Sequence, residues 1–215
     1  MNCYMQQNSC STKHNAAVQS ITTAVQSITQ QCKKRPVKNS NIRYLNKDNG
    51  GLSMARGLVD AVKTHFDLSY KMLQDLIQKC PDDLWNEKRG GYVFWQQILH
   101  SLTGVNFWMR TANERFIEPF EGKVLYPELD GDPKDSLTKE ELKGYAKEVR
   151  SVCDAFFAGK DETWLNSTSV LYDKITNMDI VFMLTRHIQY HTGYCDSILR
   201  EDGFEATEWL DYFGD

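Results

Sequence analysis

The length, composition and charge of the chain exclude several classes of protein. Its 215 residues fit one domain with a proper core and leave little room for a second. The net charge is -4, and basic residues are interspersed with acidic ones except in a short cluster at 33–38, so nothing resembles the basic surface of a nucleic-acid-binding protein. No apolar run approaches the roughly 20 residues that cross a bilayer, and the N-terminus lacks the features of a signal peptide, so we expect a cytoplasmic protein without a membrane partner.

The first fifty residues differ in composition from the rest. They are rich in Ser, Thr, Asn and Gln, and they repeat the hexapeptide AVQSIT at 17–22 and 24–29. The period of seven would align an apolar stripe on a helix, but two heptads are too few for a stable coiled coil. We interpret residues 1–50 as a mobile N-terminal extension rather than an oligomerisation element, followed by a single domain over 51–215.

Apolar residues recur at spacings of three and four in four segments, the pattern of amphipathic helices. The first segment starts after Leu52 and ends near Cys80-Pro81, and Gly90-Gly91 then breaks the chain. The second covers roughly 92–114. The third opens with the capping box of Thr138 and Glu141 and continues to about Gly159. The fourth runs from about Asn177 to Arg200.

Few segments alternate with period two, so the sequence predicts an all-α protein in which the four apolar stripes are buried together as a four-helix bundle. Residues 115–137 form a long irregular linker between the second and third helices. At ~3.3 Å per residue this linker can span a helix of ~30 Å. We therefore predict a long crossover between helices 2 and 3 rather than a tight hairpin.

Three histidines are predicted to face the interior of this bundle. His187 and His191 are four residues apart on the fourth helix, so both imidazoles can reach one point, at the spacing of helical zinc sites. His100 lies on the apolar side of the second helix. Each could be a core histidine that hydrogen-bonds a carbonyl or a tyrosine. Taken together, three inward histidines are better explained by convergence on a cation.

Other chemically capable residues have weaker grounds for a role. His65 on the first helix is a weak candidate for a fourth ligand or an acid/base catalyst, against a surface or core histidine. Cys195 is interpreted as a small buried hydrophobe, and none of the six cysteines forms a CxxC pair, so we expect free thiols. Tyr190 and Tyr194 are predicted to be core aromatics, and His14 in the extension is given no role.

These residues resemble a known family. The pattern W-x4-H with a following glycine and aromatic residue (Trp95, His100, Gly104, Trp108), and H-x3-H-x-G (His187, His191, Gly193), look like the DinB/YfiT-like superfamily of four-helix-bundle metalloenzymes. The resemblance covers about residues 52–204.

The resemblance implies a divalent metal, zinc or nickel, bound by His100, His187 and His191, with water completing the shell. Similar proteins include transferases and isomerases that use a low-molecular-weight thiol. The chain has Tyr194 where the family motif often has glutamine, so the contacts around the triad are expected to differ in detail.

The function expected from these observations is that of a metal-dependent enzyme, a thiol-dependent S-transferase or a hydrolase acting on an electrophilic small molecule. Three neutral ligands leave a coordination position open, as catalytic zinc sites do. The alternative is a noncatalytic metal-stabilised bundle, a stress-related binding or dimerisation protein. A third hypothesis makes the histidines merely structural. A homodimer is compatible with the first two.

Overall fold

Four long helices and a small hairpin form the structure, a computed structural model that describes residues 57–211. The elements in chain order are α1 (Leu58–Lys79), α2 (Asp82–Trp85), β1 (Lys88–Arg89), β2 (Tyr92–Val93), α3 (Phe94–Trp108), α4 (Lys139–Phe157), α5 (Glu162–Asn166) and α6 (Asn177–Glu201). The all-α fold is confirmed. The two short helices and the strands were not predicted. The predicted extension over residues 1–50 lies outside the described residues.

Local sequence signals explain where the helices begin. At the start of α4 the Glu141 amide donates to Thr138 Oγ1 at 3.1 Å, and the Thr138 amide donates to Glu141 Oε2 at 2.8 Å. This is the predicted capping box, which satisfies two backbone amides that lack helical partners. Thr176 and Asp179 form the same arrangement at the start of α6.

The second long helix is shorter than predicted. It covers Phe94–Trp108 rather than 92–114, because Tyr92 and Val93 pair with β1 and Met109 ends the helix. The hairpin turns at Gly90 and Gly91, whose φ angles of 60° and 109° lie in the left-handed region that glycine adopts without strain. The predicted break at these glycines is therefore a β-turn leading directly into α3.

Side-chain contacts of α1 fix the relative directions of three helices. Two of these contacts are with α4 and two with α6 or the residues after it: Asp67–Arg150, Cys80–Lys139, Met72–Gln189 and Lys79–Glu205. As the residue number increases along α1, the number of the partner residue falls in the two pairs with α4 and rises in the two pairs with α6. Hence α1 is antiparallel to α4 and parallel to α6.

The direction of α3 follows from its contacts with α6. Gln97 contacts His191, whereas Gly104, seven residues further along α3, lies against His187. These helices are therefore antiparallel, which makes α3 and α4 parallel to each other. The chain between them, residues 109–138, must return along the length of the helices, and the predicted crossover is confirmed.

The core lies between the long helices. Its largest fully buried side chains include Phe66, Tyr70, Leu73, Phe94, Trp95 and Ile98. Cys80, Cys153 and Cys195 are free and buried within it. After α6 the chain is held by a buried carboxylate, since Asp196 accepts hydrogen bonds from both the amide and the hydroxyl of Thr207. Within residues 57–211, none of the helices combines the length and apolarity needed to cross a membrane.

Candidate metal centre

The antiparallel packing of α3 on α6 brings three histidines together. The ring centroid of His100 lies 4.8 Å from that of His187 and 4.7 Å from that of His191, and the rings of His187 and His191 are 4.6 Å apart. One ring nitrogen from each residue lies within 4.8 Å of the other two. The structure thus places all three predicted histidines at one point, as a group compatible with metal binding.

Hydrogen bonds orient two of the rings and assign their protons. His100 Nδ1 lies 2.7 Å from the carbonyl oxygen of Pro127, and His191 Nδ1 lies 2.5 Å from Gln97 Oε1. Because these oxygens can only accept, each Nδ1 carries the proton and donates it. When a ring with this Nδ1 proton is neutral, its Nε2 atom keeps a free lone pair, as in metal-ligating histidines whose other nitrogen is held by an oxygen.

His187 presents an unsatisfied nitrogen to the same point. Its Nε2 atom is buried and has no hydrogen-bond partner in the described part of the chain. An unpaired buried polar atom costs free energy, so its presence needs an explanation. The ring also lies close to α3, because a Cβ atom added to Gly104 would be 3.6 Å from His187 Nε2. Thus glycine at 104 keeps this side of the imidazole open.

Burial keeps two of the imidazoles neutral. It lowers the pKa of His187 to about 4, with a further contribution from the neighbouring His100, and lowers the pKa of His191 to about 3, with repulsion from the other two histidines. At neutral pH both rings are therefore unprotonated. A metal binds the neutral form of imidazole. At neutral pH a cation would therefore not have to displace a proton from either ring.

Gln96 anchors the part of the linker around Pro127, whose carbonyl orients His100. The Gln96 side chain is fully buried, and its Nε2 atom lies 3.0 Å from the Tyr126 carbonyl and 2.9 Å from the Gly131 carbonyl. Tyr126 and Leu129 have positive φ angles of 51° and 61°, which are unfavourable for residues other than glycine. The hydrogen bonds of Gln96 therefore stabilise the strained part of the linker that carries Pro127.

A cavity of about 500 Å³ adjoins the triad. His100 and His187 line it directly, whereas His191 is 7% exposed and lies behind them. The rest of the wall comes from the C-terminal half of α3, the middle of α6 and the linker: Thr103, Gly104, Phe107, Trp108, Phe116, Glu118, Glu128, Met183 and Leu184. Its volume is in the range of small-molecule sites.

Two weaker predictions concerned His65 and Cys195, and neither residue belongs to the triad. His65 is exposed and lines a different cavity, with Met72 and Trp209 among its neighbours. Cys195 is fully buried on α6, and burial raises the pKa of its thiol well above the ordinary range. It is a small core residue, as interpreted from the sequence.

The two tyrosines that were predicted to be core aromatics have different positions, and one prediction was wrong. Tyr190 is 72% exposed, with its ring edge against His191, and is not a core aromatic. It lies two residues, or ~200° around the helix, from the buried Ile188. Tyr194 packs against the core, and its hydroxyl donates to the Arg89 carbonyl at 2.9 Å. Tyr194 therefore ties α6 to the hairpin.

Sequence reasoning missed the residues that orient the triad. Gln97 precedes His100 by three residues and therefore shares its face of α3, a signal that was available. Gln96 and Pro127 offered no such signal, because their roles depend on the path of the linker.

Comparison with known protein families gave a match to the chain. A model of the DinB family matches residues 60–214, a range that includes all three histidines. Neither the curated proteins nor the solved structures contained a match to the chain.

Proposed function

This chain belongs to the DinB family, and on that premise we propose that it is a metal-dependent enzyme whose divalent cation, zinc or nickel, is held by His100, His187 and His191. The observation that carries the proposal is the buried, unpartnered Nε2 of His187 beside two imidazoles whose Nδ1 protons are donated to oxygen atoms. A cation would satisfy all three Nε2 lone pairs at once.

A catalytic role is favoured by the cavity that His100 and His187 line. Structural zinc sites are closed by four protein ligands, whereas three protein ligands leave a position for water or substrate. The bound cation supplies a Lewis acid that lowers the pKa of a thiol or a water molecule. We propose transfer of a low-molecular-weight thiol to an electrophilic small molecule, with hydrolysis as the second reaction that the same arrangement supports.

In this proposal the residues of the chain position and shield the reacting groups. Gln97 and the Pro127 carbonyl hold the rings of His191 and His100 in one orientation, so little reorganisation is required on binding. The apolar part of the wall excludes water from the electrophile. In thiol transfer a carbon–sulfur bond forms, the leaving group departs with its bonding electron pair, and the thiol proton passes to solvent. The cytoplasmic location remains a prediction, and a homodimer remains compatible with the proposal.

Metal analysis of protein purified without a histidine tag tests the site. We expect about one equivalent of zinc or nickel per chain, as three converging imidazoles require. His187→Ala should lose this metal, whereas His65→Ala, which removes an exposed histidine outside the triad, should retain it. Metal-free wild-type protein that cannot be loaded with either ion would refute the proposal.

A second assay separates the enzyme from a metal-stabilised binding protein. Consumption of a thiol by a model electrophile, and hydrolysis of a model ester, are each followed with metal-loaded wild type, metal-free wild type and His187→Ala. The enzyme proposal requires one of the two reactions to be faster only with the loaded wild-type protein. Equal rates in all three samples, with metal bound by the wild type, would leave a noncatalytic metalloprotein.

A further inference from the structure

The cavity beside the histidine triad has an apolar wall and an acidic opening. Its apolar wall includes three aromatic side chains, Phe107, Trp108 and Phe116. Of the described residues that line it, Glu118 and Glu128 are the carboxylates, and neither Lys nor Arg is among them. Both glutamates are exposed and belong to the crossover linker. The cavity therefore combines aromatic surface at one side with negative charge where it meets solvent.

The two carboxylates have no cationic partner within the described part of the chain. Nine ion pairs occur among those residues, and neither Glu118 nor Glu128 takes part in one. Partial burial raises the pKa of Glu118, and the nearby negative charge of Glu128 raises it further. The carboxylates thus repel each other, and a cation placed between them would relieve that repulsion.

The aromatic wall is also suited to a positive group. The guanidinium carbon of Arg110, which does not line this cavity, lies 4.3 Å from the ring centroid of Phe107 and 5.2 Å from that of Phe116. These rings therefore already attract one cation through their electron-rich faces. Aromatic rings together with carboxylates are the groups that bind organic ammonium ions in water.

We infer that the cavity binds a small organic cation, with its ammonium group at Glu118 and Glu128 and its apolar body against Phe107, Trp108 and Phe116. The inference deepens the proposed function and rests on it, because it names the chemical class of the substrate that reaches the triad. An anionic substrate would meet two like charges at the opening and is therefore disfavoured there. The ammonium group belongs either to the electrophile or to the thiol, and both bring the same chemistry to the glutamates.

Two matched pairs of probes test the inference on metal-free protein by calorimetry. The first pair is 2-phenylethylamine and 2-phenylethanol, and the second is cysteamine and 2-mercaptoethanol. Within each pair only the ammonium group is exchanged for a hydroxyl group. We expect the amine to bind about fivefold or more tightly than the alcohol in at least one pair, given the usual strength of exposed ion pairs and cation–π contacts. A preference in the first pair alone assigns the charge to the electrophile, and one in the second alone assigns it to the thiol.

Variants connect the preference to the two glutamates. Glu118→Gln/Glu128→Gln should reduce the preference to within about twofold, whereas Glu201→Gln, an exposed glutamate at the end of α6, makes the same kind of charge change and should leave it intact. Because all three positions are exposed, the variants should fold, which circular dichroism checks. Equal binding of amine and alcohol in both pairs, or a preference that survives the double substitution, overturns the inference.

Zinc titration of the same samples keeps this inference separate from the proposed function. If the triad binds zinc but the ammonium preference is absent, the inference about the substrate fails and the metal site stands. If the triad binds no zinc, and a parallel titration shows that it binds no nickel, the proposed function fails, and any Glu-dependent ammonium preference then belongs to a binding cavity without a metal.

Discussion

Gly104 on α3 offers a substitution that separates metal binding from stability. A Cβ atom at this position would lie 3.6 Å from Nε2 and 3.9 Å from Cε1 of His187, and no closer contact is formed with the neighbouring helices. Both distances are ordinary van der Waals contacts, so Gly104→Ala should fit the metal-free protein without rearrangement. Alanine in a helix interior is about 0.5–1 kcal/mol more favourable than glycine. The free energy of unfolding should rise by that amount.

The same methyl group should oppose metal binding. A zinc ion must lie ~2.0–2.1 Å from Nε2, and the methyl group would take part of the space next to that atom and to the cavity. We expect the zinc affinity of Gly104→Ala to fall about tenfold or more, the size of effect that changes next to metal ligands produce. Stability and metal affinity would thus change in opposite directions.

Gly144→Ala on α4 is the matched control, because Gly144 is also inside a long helix and an added Cβ there would meet nothing within 4 Å. It should gain the same stability and keep the wild-type zinc affinity. Urea unfolding of the metal-free proteins and competition with a chromophoric chelator measure the two quantities. Equal zinc affinities of Gly104→Ala and Gly144→Ala would refute the reasoning, as would destabilisation of the metal-free Gly104→Ala protein.

Three further predictions follow from the hydrogen bonds and charges of the site. The urea midpoint of metal-free protein should fall as the pH drops from about 7 to about 5. Burial lowers the pKa of His187 to about 4 and that of His191 to about 3, so the unfolded chain takes up protons at a higher pH than the folded chain does. A midpoint independent of pH in this range would contradict the prediction. Gln97→Leu should weaken zinc binding about 10–100-fold by releasing the ring of His191, and an unchanged affinity in a chelator competition would show that this contact is dispensable. Tyr194→Phe removes the hydrogen bond to the Arg89 carbonyl and should cost about 0.5–1.5 kcal/mol of unfolding free energy with the zinc affinity unchanged. A loss of zinc binding would contradict this purely structural role of the hydroxyl.

The helices were predictable because their signals are local. The Thr138 capping box and the spacing of apolar residues on α6 depend only on neighbours in the sequence, and both helices begin where predicted. The end of α3 was predicted six residues too late, at 114 instead of 108. Neither glycine nor proline follows Trp108 directly, so the sequence offers no local signal for the end of the helix.

The triad was predictable for a related reason. Spacing four on one helix joins His187 to His191, and the apolar face of the second helix points His100 inward. The position of Tyr190 was not predictable from its aromatic character, because the angle around α6 decides its exposure and Ile188 and His191 occupy the buried face. The partner of His100 was not predictable at all, since the Pro127 carbonyl comes 27 residues later in the linker.

The crossover linker explains how a common helical frame can serve a particular ligand. The core fixes α3 against α6, so the distances among the three imidazoles are set by helix packing. The linker supplies the carbonyl that orients His100, the aromatic ring of Phe116 and the carboxylates of Glu118 and Glu128. The three histidines lie on α3 and α6, whereas both carboxylates of the cavity lie on the linker. We therefore expect substitutions of Glu118 and Glu128 to change which small molecule binds without any change in the three histidines.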